Sequence, residues 1–171
     1  VKAKELGFKA VKMSFRFENY DDKQLIQFIK EARDLLGEET ELMIDFLYRW
    51  RDWRQAKWVL DQIADCNIYF AEAVLQHDNL IGHQRLSQRS PIRICGAEMA
   101  TTRWEVKEWI EKGEVSVVQP DINRCGGLTE IRRIVQLASE YGVQVIPHQW
   151  KSGITAAAGR HYQAITKESA Y

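Results

Sequence analysis

VVQPDINRCGGLTEIRRIVQLASEYGVQVIPH, residues 117–148, reads as one complete repeat of a parallel α/β architecture. Its first valines belong to an apolar strand, 115–121, that ends on Asp121. The Gly126-Gly127 pair then turns the chain tightly into an amphipathic helix over 128–141, and Gly142 is well placed as its C-cap. A second apolar strand, 143–148, ends on His148. Strands that alternate with helices in this way pair in parallel through right-handed crossovers.

The same unit recurs on the N-terminal side. Asp45, Glu72, Glu98, Asp121 and His148 each close a short apolar run, at successive spacings of 27, 26, 23 and 27 residues. Strands are expected at 7–15 (GFKAVKMSF), 41–46, 67–73, 91–98, 115–121 and 143–148, with helical segments at 23–35, 53–65, 83–89, 104–112 and 128–141. In the first helix Leu25, Ile26, Phe28, Ile29 and Ala32 share one face. The helices share no fixed motif, which argues for a βα array rather than a solenoid. The expected fold is therefore α/β, a parallel sheet with surrounding helices, forming part of a closed barrel. Six strands do not close an eight-stranded barrel, and no terminal element is expected after the last one. Residues 1–171 are thus expected to be a segment of a longer protein, and an open sheet with two uncovered edges should associate or aggregate when isolated.

Composition bounds the class without defining the function. An apolar fraction of 45% and 28% charged residues are ordinary for a globular domain. Lys plus Arg and Asp plus Glu both number 24, so no basic surplus points to nucleic acid or a membrane surface, and any anion must be bound locally. Cys66, Cys95 and Cys125 form no metal-binding spacing, and their odd number argues against a complete disulfide framework; a cytoplasmic setting is expected. No run approaches the roughly 18 apolar residues of a membrane span.

In parallel α/β folds the chemistry gathers at the C-terminal ends of strands. Asp45, Glu72 and Glu98 occupy three successive strand ends, and three hard carboxylates in register suit Mg²⁺. Any one of them alone would read as a helix-capping acid. Asp121 and His148 end the next two strands, and a carboxylate beside an imidazole orients the ring and raises its basicity, giving an acid/base dyad. Lys12 interrupts an apolar strand, with Ser14 on the same face. An inward lysine is expected to meet an anion, binding a substrate carboxylate or serving as a base; an edge lysine reaching solvent is the alternative. His77, His83 and His161 lack such partners and are expected to be structural or superficial. Gly126-Gly127 lacks nucleotide-motif spacing. Trp50, Trp53 and Trp58 are expected to pack helices, and Trp150, following the candidate base, to wall the pocket.

The segments GFKAVKM, LMIDF, FAEAVLQHD, GAE, VVQPDINRCGGLTE and IPH resemble, in order and spacing, the enolase superfamily, most closely its mandelate racemase branch. The resemblance implies a capping domain and a (β/α)₇β barrel, of which this chain would supply about strands 2 to 7. It implies that Asp45, Glu72 and Glu98 bind Mg²⁺, that Asp121 and His148 form the dyad, and that the whole enzyme is a homo-oligomer. The shared step is abstraction of the proton α to a carboxylate, giving a stabilised enediolate. Three positions depart from the branch. Lys12-Met13-Ser14 replaces Lys-x-Lys, which disfavours a two-base racemase and favours a one-base dehydratase of a sugar acid. Ala71-Glu72-Ala73 replaces Glu-Glu-Pro, so a ligand at Glu72 requires a local bulge to turn it to the inner face. Asp45-Phe46-Leu47 replaces Asp-x-Asn. A cycloisomerase or epimerase of a related sugar acid or lactone is the second expectation, and a catalytically inactive homologue with a binding role the third.

Overall fold

The computed structural model describes residues 2–14, 20–150 and 152–166; Phe15, the last residue of the first expected strand, lies outside them. The elements run α1 (Lys2–Glu5), β1 (Ala10–Ser14), α2 (Asp22–Leu36), β2 (Glu41–Asp45), α3 (Trp53–Gln62), β3 (Ile68–Glu72), α4 (Leu80–Ser87), β4 (Ile94–Gly96), α5 (Arg103–Glu111), β5 (Val117–Val118), α6 (Gly127–Glu140), β6 (Gln144–Val145) and α7 (Gly153–Ile165). A short 3₁₀ turn, Ala64–Cys66, leads into β3. The strands form one parallel sheet in sequence order. The chain divides into two compact units, residues 1–94 and 95–171.

In the first unit β1 and β2 are in register from Ala10↔Glu41 to Ser14↔Asp45. Between β2 and β3 the pairs are Leu42↔Ile68, then Ile44↔Ala71 and Asp45↔Glu72, so β3 carries one extra residue ahead of Glu72. The expected irregularity is there, and it places Glu72 opposite Asp45 on the same face. A capping box starts α2: Asp21 accepts from the Gln24 N–H while the Gln24 side chain accepts from the Asp21 N–H. Leu25 and Ile29 of α2 and Leu60 of α3 are fully buried, as are Leu42 and Ile44 of β2. Burial of each such side chain contributes about 1.5–3 kcal/mol. Trp53 packs as expected, with the guanidinium carbons of Arg54, Arg85 and Arg89 at 5.0, 5.8 and 5.6 Å from its ring centroid, so it ties α3 to α4.

Arg33 is the least expected residue of this core. It is 4% exposed on α2, a charged residue on the buried stripe that holds Leu25, Ile29 and Leu36. Its guanidinium donates to four carbonyls: Nε to Cys66 (2.7 Å), Nη1 to Gly37 (2.7 Å) and Thr40 (2.8 Å), and Nη2 to Asn67 (3.0 Å). One planar fork thus closes the ends of α2 and of the 3₁₀ turn, where carbonyls would otherwise be buried unpaired.

The structure also corrects α4. The expectation began this helix at residue 83, but it starts at Leu80 because the Asn79 side chain caps it, accepting from the Gly82 N–H. His83 is consequently inside the helix and fully buried, with Nδ1 at 2.9 Å from the Asn79 carbonyl. Burial holds its pKa down at about 4, with the neighbouring His77 acting in the same direction and the Asn79 carbonyl opposing. Because the folded value lies below the ordinary one, the unfolded chain binds the proton first as pH falls. Stability is therefore complete above about pH 6.5 and is lost toward pH 4, by up to about 3 kcal/mol. Urea midpoints measured from pH 7 to pH 4 should fall over that window in the wild type, and the part due to this residue should vanish in His83→Gln.

In the second unit Cys95↔Val117 and Gly96↔Val118 join β4 to β5, and Val117↔Gln144 and Val118↔Val145 join β5 to β6. Gly96 is obligatory, since a Cβ there would lie 2.3 Å from the Trp109 ring of α5. Gly126 and Gly127 have φ of 105° and 85°, which is why the turn into α6 reads Gly-Gly. Contrary to expectation, a helix follows the last strand. Ser152 caps α7, accepting from the Thr155 N–H, and the run Ala156-Ala157-Ala158 that follows favours helix. Among the described residues no helix is long and apolar enough to cross a membrane.

Candidate active site

Every strand is shorter than expected, most of them at both ends. In the first unit Asp45 and Glu72 are the final residues of β2 and β3. Leu47, Tyr48 and Ala73, immediately after them, have φ of 51°, 60° and 47°. Left-handed backbone at non-glycine residues is costly and concentrates where a site is being shaped. The bend is pinned by the Phe46 N–H donating to the Glu72 carbonyl at 2.9 Å and by the Leu47 N–H donating to Asp45 Oδ1 at 2.9 Å.

Two side chains of β1 reach these acids. Lys12 Nζ donates to Glu72 Oε2 at 2.6 Å, and Ser14 Oγ donates to Asp45 Oδ2 at 3.2 Å. Register explains both contacts: residues two apart on β1 face the same way, and Ser14 is paired with Asp45. Glu72 is 1% exposed and the Lys12 side chain 35%, so a buried carboxylate takes its countercharge from a lysine that still touches solvent. The serine that stands where the branch has its second lysine therefore orients Asp45.

In the second unit His148 and Asp121 form a parallel bridge. His148 Nδ1 is 2.9 Å from Asp121 Oδ2. A carboxylate only accepts, so Nδ1 carries the hydrogen toward Asp121. The other oxygen of Asp121, Oδ1, accepts from the Asn123 N–H at 2.8 Å. His148 Nε2 faces Glu98 Oε2 at 3.6 Å, and Glu98 follows Ala97, whose φ is 73°.

The contribution of α7 was missed in the sequence. Asn123 Nδ2 donates to Thr155 Oγ1, and the buried Thr155 belongs to the first turn of α7. The loop that carries Asp121 is thus anchored on that helix. Ser152-x-x-Thr155, a hydroxyl cap spacing, followed by the run Ala156-Ala157-Ala158, is the signal that marks it.

Cys125 is buried beside this loop; burial, reinforced by the Asp121 charge, pushes its thiol up to about 11, so it is not a nucleophile. Cys95 donates to the buried Gln119 Oε1 at 2.9 Å. Trp150 is 62% exposed. His77 packs edge-on to Tyr48, and His161 lines a groove with Leu128, Ile131 and Tyr162.

Asp45 and Glu72, two buried carboxylates opposite one another in register, offer the hard oxygens that a divalent cation needs. Among the described residues no three His, Cys, Asp or Glu side chains are gathered as a metal cage, and Lys12 fills the cationic role at Glu72.

A parallel α/β sheet with acids and a histidine at its strand ends defines a class of catalytic barrel domains. Residues 1–171 match the Enolase C-terminal domain-like family throughout, and the chain belongs to that family. It is 30% identical to a D-galactarolactone cycloisomerase from Agrobacterium fabrum, over 92% of this chain and 41% of that protein. It is 29% identical to an arabinonate dehydratase from Saccharolobus solfataricus, over 94% and 42%. The crystal structure of 3,6-anhydro-D-galactonate cycloisomerase from Zobellia galactanivorans superposes with a TM-score of 0.91 at 30% identity, covering 98% of this chain and 47% of that one. The chain thus spans less than half the length of the relatives it matches.

Proposed function

We propose that the protein removes the proton α to the carboxylate of a sugar acid in a Mg²⁺-dependent reaction and then expels the β-hydroxyl, giving a 2-keto-3-deoxy acid. The observation that carries this reading is the 2.9 Å contact between His148 Nδ1 and Asp121, which supports Nε2 in the role of the base. Relatives that are dehydratases of arabinonate, L-rhamnonate and D-galactonate support the reaction class.

Nε2 takes the Cα proton, and Asp121 stabilises the imidazolium that forms. The same imidazolium then donates its proton to the departing hydroxyl, so that water leaves, a carbon–carbon double bond forms, and the resulting enol tautomerises to the keto acid. One histidine serves both steps, in keeping with Ser14 standing where a second lysine base would be. Asp45, Glu72 and Glu98 would hold the Mg²⁺, whose charge offsets that developing on the substrate carboxylate as the proton leaves. Lys12 binds the substrate carboxylate.

A panel of sugar acids incubated with the full-length protein and Mg²⁺, assayed for 2-keto acid, tests the proposal. One acid should give product, and chelation should abolish it. Incorporation of solvent deuterium at Cα without keto acid would replace dehydration by cycloisomerisation or epimerisation, the reading favoured by likeness to two cycloisomerases. Absence of both product and metal binding would leave the inactive homologue.

A further inference from the structure

The lysine and the acid that the proposed reaction uses separately are in contact with each other. Lys12 Nζ and Glu72 Oε2 lie 2.6 Å apart, and Ser14, two residues along β1, is bonded to Asp45. Resting on the proposed reading of Asp45 and Glu72 as cation ligands, we infer that Lys12 is the countercation of Glu72 only until a divalent cation arrives. Cation binding then displaces the ammonium and makes it available to the anionic group of the substrate.

Burial, electrostatics and side-chain freedom support a displacement rather than coexistence. Glu72 is 1% exposed, so its carboxylate needs a positive partner in every state of the site. A divalent cation and an ammonium repel one another, so they do not share one carboxylate oxygen at contact distance. Glu72 is also the partner that stays in place, since its carbonyl is bonded to the Phe46 N–H and its backbone is in register with Asp45. Lys12 is the one that can move: its side chain is 35% exposed and its stem has four rotatable bonds. The backbone of β1 is held by five registered pairs, which makes the exchange a side-chain event.

The consequence is an order of assembly. Before the cation binds, the ammonium is held at Glu72; afterwards it lies on the same strand face, within reach of a substrate carboxylate. By thermodynamic reciprocity, cation and acid each strengthen the binding of the other.

The full-length wild-type protein decides this by mass-spectrometric measurement of lysine methylation rates with and without Mg²⁺. Labelling at Lys12 should rise several-fold on addition of Mg²⁺, while the exposed Lys9 should not change. Calorimetric titration of Mg²⁺ into Lys12→Gln should show binding about tenfold tighter than wild type, because the competitor has been removed. Mg²⁺ that binds the wild type without raising Lys12 labelling overturns the inference and leaves the proposed function standing. Equal or weaker binding by a folded Lys12→Gln overturns it as well. A protein that binds no Mg²⁺ at any concentration loses both the inference and the reading beneath it. If Lys12→Gln does not fold, the wild-type labelling decides alone.

Discussion

Replacing His148 by asparagine should lower kcat about 10³-fold, within the range that general acid/base groups supply, with the fold and metal affinity retained. Asparagine keeps a side-chain donor toward Asp121 and removes only the proposed base. Asp121→Asn should lower kcat by about 10²-fold for a different reason. Both oxygens of Asp121 accept, Oδ2 from His148 and Oδ1 from the Asn123 N–H. An amide has one acceptor. Either its NH₂ opposes the Asn123 N–H, or it donates to His148 Nδ1 and moves the imidazole hydrogen to Nε2, where the lone pair is needed. Deuterium exchange at Cα of the substrate, followed by NMR, reads proton abstraction directly. Exchange in His148→Asn within a few-fold of wild type would remove this dyad from the reaction.

Arg33→Met should be strongly destabilising. Methionine fills much of the volume but leaves the carbonyls of Gly37, Thr40, Cys66 and Asn67 without the donor that now joins them. Hydrogen bonds to a charged group contribute about 1.5–3 kcal/mol each, yet these four share one side chain and its desolvation cost, so a net loss of about 3–5 kcal/mol is expected. For a domain of this size that lowers Tm by about 10 °C or more. Arg33→Lys should fall between, since an ammonium lacks the planar fork. A Tm for Arg33→Met within a degree or two of wild type would show that the carbonyls find other partners at little cost.

Those two sites differ sharply in how readable they were. The periodic spacing of Asp45, Glu72, Glu98, Asp121 and His148 marks strand ends because each apolar run is about as long as a strand can be before the next helix must start. The odd placement of Glu72 in Ala71-Glu72-Ala73 demanded an extra residue, and the register between β2 and β3 contains one. Arg33 was illegible for the opposite reason. Helical periodicity sorts residues by hydropathy, so an arginine in line with Leu25, Ile29 and Leu36 carries no sign of the carbonyls, two of them more than 30 residues away, that receive it. The Lys12–Glu72 contact spans 60 residues and depends on pairing across three strands, which no local pattern encodes. The helix α7 carries its signal in a hydroxyl cap and a run of alanines rather than in an apolar stripe, and Thr155 reaches Asn123 across 32 residues, which no local pattern encodes.

The extra residue in β3 also bears on how an acid can change faces of a sheet. Along a strand, which side chains meet the interior is decided by counting, since neighbours alternate between faces. Ile44↔Ala71 and Asp45↔Glu72 hold only because one residue more than the partner strand uses has been admitted upstream. A one-codon insertion or deletion can therefore carry an acid from one side of the sheet to the other while leaving every amino-acid identity intact. In such a lineage an alignment column can preserve a glutamate whose side chain has changed sides, and can show a loss where the acid has only moved by one place.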